Sequence, residues 1–80
     1  MLPESQSFDV EVDATGLNCP LPILKAKKAL AGLTSGQVLK VISTDPGAKR
    51  DFEAFARQTG NELLAQSQAG DALSFYLKRR

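Results

Sequence analysis

Histidine and tryptophan are missing from this 80-residue chain, and cysteine occurs once. Without histidine, neither a Ser–His–Asp triad nor a Cys–His pair can be assembled, because each needs an imidazole as its base. One thiol and no imidazole exclude a tetrahedral zinc site or an iron–sulfur cluster held within a single chain. A single cysteine also excludes an internal disulfide, so the core must hold without a covalent staple. Charge imbalance is lacking as well: ten Lys and Arg stand against nine Asp and Glu, a net charge of +1. Dedicated duplex-DNA binders usually carry a strong basic excess, so that class is set aside. No apolar run nears the ~20 residues that span a bilayer, and Met1 to Asp9 lacks a signal-peptide pattern. Together with the free thiol, these absences predict a cytoplasmic protein that uses no membrane, no metal and no cofactor.

What is present is ordinary globular composition, 42% apolar and 24% charged. A chain this short hides only ~60–65% of its unfolded surface, which allows one domain with a thin core. A polar, Pro3-containing lead-in over residues 1–7 is expected to be frayed, with a single domain over residues 8–80.

Hydrophobic periodicity divides that domain. Phe8, Val10 and Val12 alternate with Asp9, Glu11 and Asp13, as in a half-buried strand. From Pro20 to Leu33 the period becomes helical, with Ile23, Ala26, Leu30 and Leu33 on one face and the helix ending near Gly32 or Gly36. Val38 to Ser43 is nearly continuous and apolar, the pattern of a central strand covered by helices. Thr44-Asp45-Pro46 reads as a helix start, Asp45 as N-cap and Pro46 at the first position. Ala48, Phe52, Phe55, Ala56 and Thr59 mark the buried face of that helix, with Gly60 as its C-cap. Glu62 to Gln68 and Ala72 to Lys78 form a hairpin joined by Ala69-Gly70-Asp71. The order β-α-β-α-β-β, with right-handed crossovers, predicts a two-layer α/β sandwich: a mixed four-stranded sheet with both helices on one face.

Cys19 lies where the first strand meets the first helix, in Cys19-Pro20-Leu21-Pro22. Proline disfavours the helical conformation of its predecessor, which places Cys19 just outside the first turn. There it is expected to face unpaired amides and the positive end of the helix dipole, which would lower the thiol pKa. Lys25, Lys28 and Arg50 add positive potential if they fold over the same edge. The two prolines, tolerated in a first turn, restrict the backbone that presents the sulfur. Covalent chemistry then rests on a cysteine activated by its environment and not by a neighbouring base. The alternative is a buried cysteine acting as a small hydrophobe, which is common for free thiols. Lys25, Lys27 and Lys28 also read as a solvated face, and Lys78, Arg79 and Arg80 as a solvated tail.

Gly16-Leu17-Asn18-Cys19-Pro20-Leu21-Pro22, followed by a basic helix, resembles the Cys-Pro-x-Pro signature of the TusA/SirA-like sulfur-carrier family. The resemblance continues through Thr44-Asp45-Pro46, Arg50-Asp51-Phe52 and the closing hairpin, so it spans nearly all of Phe8 to Lys78. It implies a sulfurtransferase in which Cys19 accepts sulfane sulfur as a persulfide and relays it to another protein. Pro20 and Pro22 would shape its presentation, and Lys25, Lys28, Asp45 and Arg50 would meet partners. Those partners would be a sulfur donor, either a cysteine desulfurase or a rhodanese-type protein, and a downstream acceptor. Members associated with tRNA thiolation often place an acid between the prolines and a base before the cysteine. Leu21 and Asn18 stand there in this sequence, which leans towards sulfur oxidation or general sulfur trafficking.

Thiol–persulfide exchange needs an exposed sulfur and an in-line approach, but no metal. Without a resolving cysteine, no internal disulfide can expel the cargo. The competing expectation is a non-catalytic module that docks a partner through the basic first helix. Contact with RNA through Lys27, Lys28, Arg79 and Arg80 has less support. Nucleic acid is therefore not expected as a direct partner, and the chain is expected to act as a monomer.

Overall fold

The computed structural model describes residues 7–80. The lead-in expected over residues 1–7 therefore lies, except for Ser7, outside the described residues. Six elements follow: β1 (Val10–Ala14), α1 (Leu21–Ala31), β2 (Val38–Ser43), α2 (Ala48–Thr59), β3 (Glu62–Ala69) and β4 (Ala72–Lys78). The strands form one sheet in the order β1-β2-β4-β3. β1 runs parallel to β2, while β2–β4 and β4–β3 are antiparallel. The mixed sheet and two helices are those expected from the pattern.

Strand alternation decides what each face of the sheet meets. Leu39, Val41 and Ser43 of β2 are fully buried, and they pair with Leu77, Phe75 and Leu73 of β4. This side packs on the helices through Ala26 and Leu30 of α1 and Ala48, Phe52, Phe55 and Ala56 of α2. Phe52 is the centre of the core. Its ring stacks on Phe75 at 4.7 Å and meets Phe55 edge-on at 6.3 Å. Burying one such side chain contributes ~1.5–3 kcal/mol relative to leaving it exposed.

Among the described residues the opposite face carries no helix, so helices cover β2 on one side only. Phe8 was expected to share a face with Val10 and Val12, but it lies on this open side. Its ring sits 6.2 Å from Tyr76, and Lys40 Nζ lies 5.3 Å above Phe8 and 5.7 Å above Tyr76. The chain bends at Asp9 before β1 begins, which breaks the strand alternation. Asp9 Oδ2 there accepts a bond from the Val38 amide at 2.8 Å. The ammonium between two rings gains a cation–π contact and a nearby carboxylate, Glu11, at 3.7 Å.

The start of α1 agrees with expectation, with Cys19 just outside it, whereas the start of α2 differs. α1 begins at Leu21 with Pro20 in the N-cap place and Pro22 in the first turn, and Pro22 is buried. α2 begins at Ala48, and its N-cap is Gly47. Asp45 instead opens a turn in which its carbonyl accepts the Ala48 amide at 3.0 Å. Its carboxylate reaches the Gly47 amide only at 3.4 Å, a long bond for a cap. The helix ends agree with the sequence: α1 stops before Gly32, and Gly60 takes the left-handed conformation (φ 79°) that suits a C-cap. In the hairpin, Gly70 has φ 61° while Asp71 stays at negative φ, the pattern of a type II′ turn. A register shift between Leu63 and Ala65 marks a bulge on edge strand β3.

Arg79 is not a solvated tail residue. Its Nε donates to the Leu30 carbonyl near the end of α1 at 2.8 Å. Its backbone bonds to Gly36 and Gln37, each at 2.8 Å. A cation at a helix C-terminus complements the dipole and satisfies an orphan carbonyl.

Candidate active site

The carboxyl ends of β1 and β2 and the amino ends of α1 and α2 meet at one edge of the sandwich. Two loops fill that edge, residues 15–20 and 44–47, and a long-range bond ties them together: the Gly16 amide donates to Thr44 Oγ1 at 2.9 Å. Asp13 Oδ1 accepts from both the amide (3.0 Å) and the hydroxyl (2.7 Å) of Thr15, closing a side-chain turn at the end of β1. Those two bonds hold the Asp13 carboxyl below its ordinary pKa, with a smaller contribution from the charge of Lys25. Lys25 Nζ in turn donates to the Asp13 carbonyl at 3.1 Å. Beneath the second loop, buried Ser43 accepts the Asp45 amide at 3.1 Å.

Cys19 emerges from the first loop with its side chain exposed. It stands at the mouth of an open cleft whose other walls are Asp45, Pro46, Gly47, Lys49, Arg50, Asp51 and Glu53. Of the residues expected around it, Asp45 and Arg50 are there. Lys25 and Lys28 are not: Lys25 is turned to the end of β1, and Lys28 lies in the last turn of α1. Beside the thiol, the first turn of α1 presents Leu21 and Leu24, which are 47% and 52% exposed.

The electrostatics overturn the expected activation. The Cys19 thiol is pushed above its ordinary pKa, first by a hydrogen bond to the Asp51 carboxylate, then by desolvation, then by the negative charges of Asp51 and Asp45. The helix N-terminus does not win because the sequence has taken away its donors. Of the four residues from Pro20 to Ile23, two are prolines with no N–H, and the Leu21 amide is engaged by the Asn18 carbonyl at 2.9 Å. The dipole remains, but the Asp51 carboxylate, which favours the protonated thiol, outweighs a partial charge of ~0.5.

Asp51 is the residue that the sequence pattern did not single out. It occupies the first turn of α2, where an acid is ordinarily explained by the helix dipole. The turn that displaces Asp45 from the cap brings the two acids together. A point one carbon above Gly47 lies 3.8 Å from Asp45 Oδ2 and 3.9 Å from Asp51 Oδ2. Asp45 Oδ2 is buried and lacks a hydrogen-bond partner among the described residues.

Relatives of this chain are named as sulfur carriers. The family model described as Sulfurtransferase TusA matches residues 10–79. The chain belongs to the TusA family. The sulfur carrier protein TusA of Allochromatium vinosum is 60% identical over 72 residues, covering 90% of this chain and 95% of that protein. A putative sulfur carrier protein of Bacillus subtilis is 46% identical over 71 residues, covering 89% and 95%. Among solved structures, a SirA-like protein from Desulfitobacterium hafniense superposes with a TM-score of 0.78 at 25% identity, covering 88% of this chain and 96% of that one. The TusA and SirA-like likeness anticipated from Cys19-Pro20-Leu21-Pro22 therefore holds at the level of family and fold.

Proposed function

We propose that this TusA-family chain is a sulfur carrier in which Cys19 takes up sulfane sulfur as a persulfide and hands it to a second protein. The observation that carries the reading is the exposure of Cys19 at the mouth of a cleft, flanked by the uncovered Leu21 and Leu24. A carrier thiol must meet another protein's sulfur in line, and these apolar residues supply a small contact surface suited to transient docking. Pro20 and Pro22 hold the segment that presents the sulfur, and Asp45 and Arg50 line the wall that a partner would touch. The partners are a donor of the cysteine desulfurase or rhodanese type and a downstream acceptor. The step is a sulfurtransferase reaction in which the thiol alone bears the cargo, in the cytoplasm, where free thiols persist.

No described helix is long and apolar enough to cross a membrane. Lys28 lies in the last turn of α1, at the opposite end from Cys19, and Lys25 is engaged with the Asp13 carbonyl. The basic residues of α1 therefore do not line the cleft at Cys19, which weakens the reading of the basic helix as the main docking element.

The test is intact mass after incubation of the reduced protein with a cysteine desulfurase and cysteine, or with a rhodanese and thiosulfate. A reductant-labile gain of one sulfur atom, about 32 Da, is expected for the wild type and no gain for Cys19→Ser. A folded wild type that takes no sulfur from either donor overturns the proposal.

A further inference from the structure

β1 and β2 run parallel and end in register, Ala14 beside Ser43. From that shared end the chain leaves twice, once towards α1 and once towards α2. The first departure turns sharply: the Leu17 amide bonds to the Ala14 carbonyl at 3.2 Å, and Gly16 between them has φ 80°, a conformation that strains any residue with a Cβ. Across the gap the Gly16 amide donates to Thr44 Oγ1 at 2.9 Å. Among the described residues this is the one hydrogen bond that joins residues 15–20 to residues 44–47. Both of its ends lead to the cleft, since Cys19 stands shortly after Gly16 and Asp45 follows Thr44 in the facing wall. The stretch from Gly16 to Cys19 has little slack. Leu17 packs against the core, the Asn18 carbonyl accepts the Leu21 amide at 2.9 Å, and Pro20 and Pro22 open the helix beyond.

Building on the sulfur-carrier reading, we propose that Thr44 is a positioning residue for sulfur transfer: its hydroxyl, by holding the Gly16 amide, sets where the loop presents Cys19 to a donor protein's persulfide. In that step the Cys19 sulfur attacks the outer sulfur of the persulfide and forms a new S–S bond. The donor's own S–S bond breaks, and its inner sulfur leaves with the electron pair and takes up the proton that Cys19 gives up. Cys19 is oxidised to the persulfide level and the donor sulfur reduced to a thiol, with no outside oxidant or reductant. Attack runs along the bond being broken, so the loop carrying Cys19 must keep its place against the wall that the donor touches. A misplacement of about 1 Å in such a geometry can cost ~100-fold in rate. Thr44 touches neither sulfur and acts through the loop. Its bond to Gly16 is exposed, so water takes over the amide once the hydroxyl is gone, and the loss is smaller than that limit. Valine matches threonine in shape but offers the amide no acceptor.

Three measurements separate positioning from other roles. In Thr44→Val, hydrogen exchange of the Gly16 amide followed by NMR should become faster, and Thr44→Ser should restore its protection. Single-turnover sulfur loading is measured at saturating donor, from a cysteine desulfurase supplied with cysteine or a rhodanese supplied with thiosulfate. It should slow by about threefold or more in Thr44→Val, and Thr44→Ser should recover most of that loss. Alkylation of Cys19 by iodoacetamide, a small reagent that needs no docked geometry, should be at least as fast in Thr44→Val as in wild type. Circular dichroism and thermal melting check the fold, and Thr44→Ala, which removes the same acceptor, carries the comparison if the valine variant is unfolded. Loading slowed by less than about threefold without the hydroxyl overturns the inference. Equal slowing of loading and alkylation overturns it too, because Thr44 then acts on the thiol itself. So does a change confined to the half-saturating donor concentration, because Thr44 is then a docking contact. Thr44→Ser loading as slowly as Thr44→Val also overturns it, because the hydroxyl is then not the cause. Failure of the wild type itself to load from either donor is a separate result, and it overturns the carrier reading beneath.

Discussion

Phe52 is where the fold and the site meet, since it anchors the helix whose preceding residue is Asp51. The ring is fully buried, stacked on Phe75 at 4.7 Å and edge-on to Phe55 at 6.3 Å. Replacement by Leu keeps most of the apolar burial but removes both ring pairs. Each pair is worth ~0.5–1.5 kcal/mol beyond its area, so Phe52→Leu should cost about 1–3 kcal/mol. Phe52→Ala adds the lost transfer energy and a cavity, for about 3–5 kcal/mol. An 80-residue domain has roughly 4–12 kcal/mol in total at the usual per-residue stability, so the alanine variant approaches the limit of folding. At about 4–8 °C per kcal/mol for a domain of this size, Phe52→Leu should melt roughly 4–24 °C below wild type. Thermal melting and urea titration followed by circular dichroism measure this. A looser α2 should also speed alkylation of Cys19, because it weakens the hold of Asp51 on the thiol. A leucine variant melting within about 2 °C of wild type would refute the assignment of Phe52 as the core's keystone.

Gly60→Ala should destabilise by about 1 kcal/mol or more, because φ is 79° and the new Cβ would lie 2.9 Å from Arg80 Cδ. A melting temperature equal to wild type would contradict that account of the α2 terminus. The Asp13 carboxyl, followed by NMR, should titrate below the ordinary aspartate range, and Thr15→Val should move its midpoint upward. Its folded-state pKa is depressed, so its contribution to stability is complete above the ordinary carboxylate pKa and is lost as pH falls through the folded value. An unchanged midpoint in Thr15→Val would mean that the hydroxyl bond is not its cause.

Much of this was legible in the chain. The switch from period 2 to period 3.6 and back gave the element order, and the buried set Ala48, Phe52, Phe55 and Ala56 followed from helical spacing alone. Cys19 was conspicuous because it is the only thiol and stands before two prolines. The parts that escaped depend on groups far apart in sequence. Phe8 obeys strand alternation on paper, but a bend at Asp9 carries it to the open face. Asp45 has the composition of an N-cap, yet the bond from its amide to buried Ser43 and the turn to Ala48 shift the cap to Gly47. That two-residue delay brings Asp45 and Asp51 together against Cys19. The thiol's resting state then reverses, since periodicity carries no information about which carboxylate from α2 will face α1. The loss of amide donors at Pro20 and Pro22 was, by contrast, readable. Proline that is tolerated in a first turn also strips that turn of the N–H groups a thiolate would use.

The most direct test follows labelled sulfur to its atom. The reduced protein is loaded from a cysteine desulfurase supplied with sulfur-labelled cysteine, the persulfide is capped with iodoacetamide, and the digested peptides are mapped by mass spectrometry. The account predicts one additional sulfur on the peptide containing Cys19, released by reductant and passed on when a sulfur-accepting protein is added. Label recovered elsewhere in the chain, or equal label in folded Cys19→Ser, would contradict the central claim that Cys19 carries the sulfur.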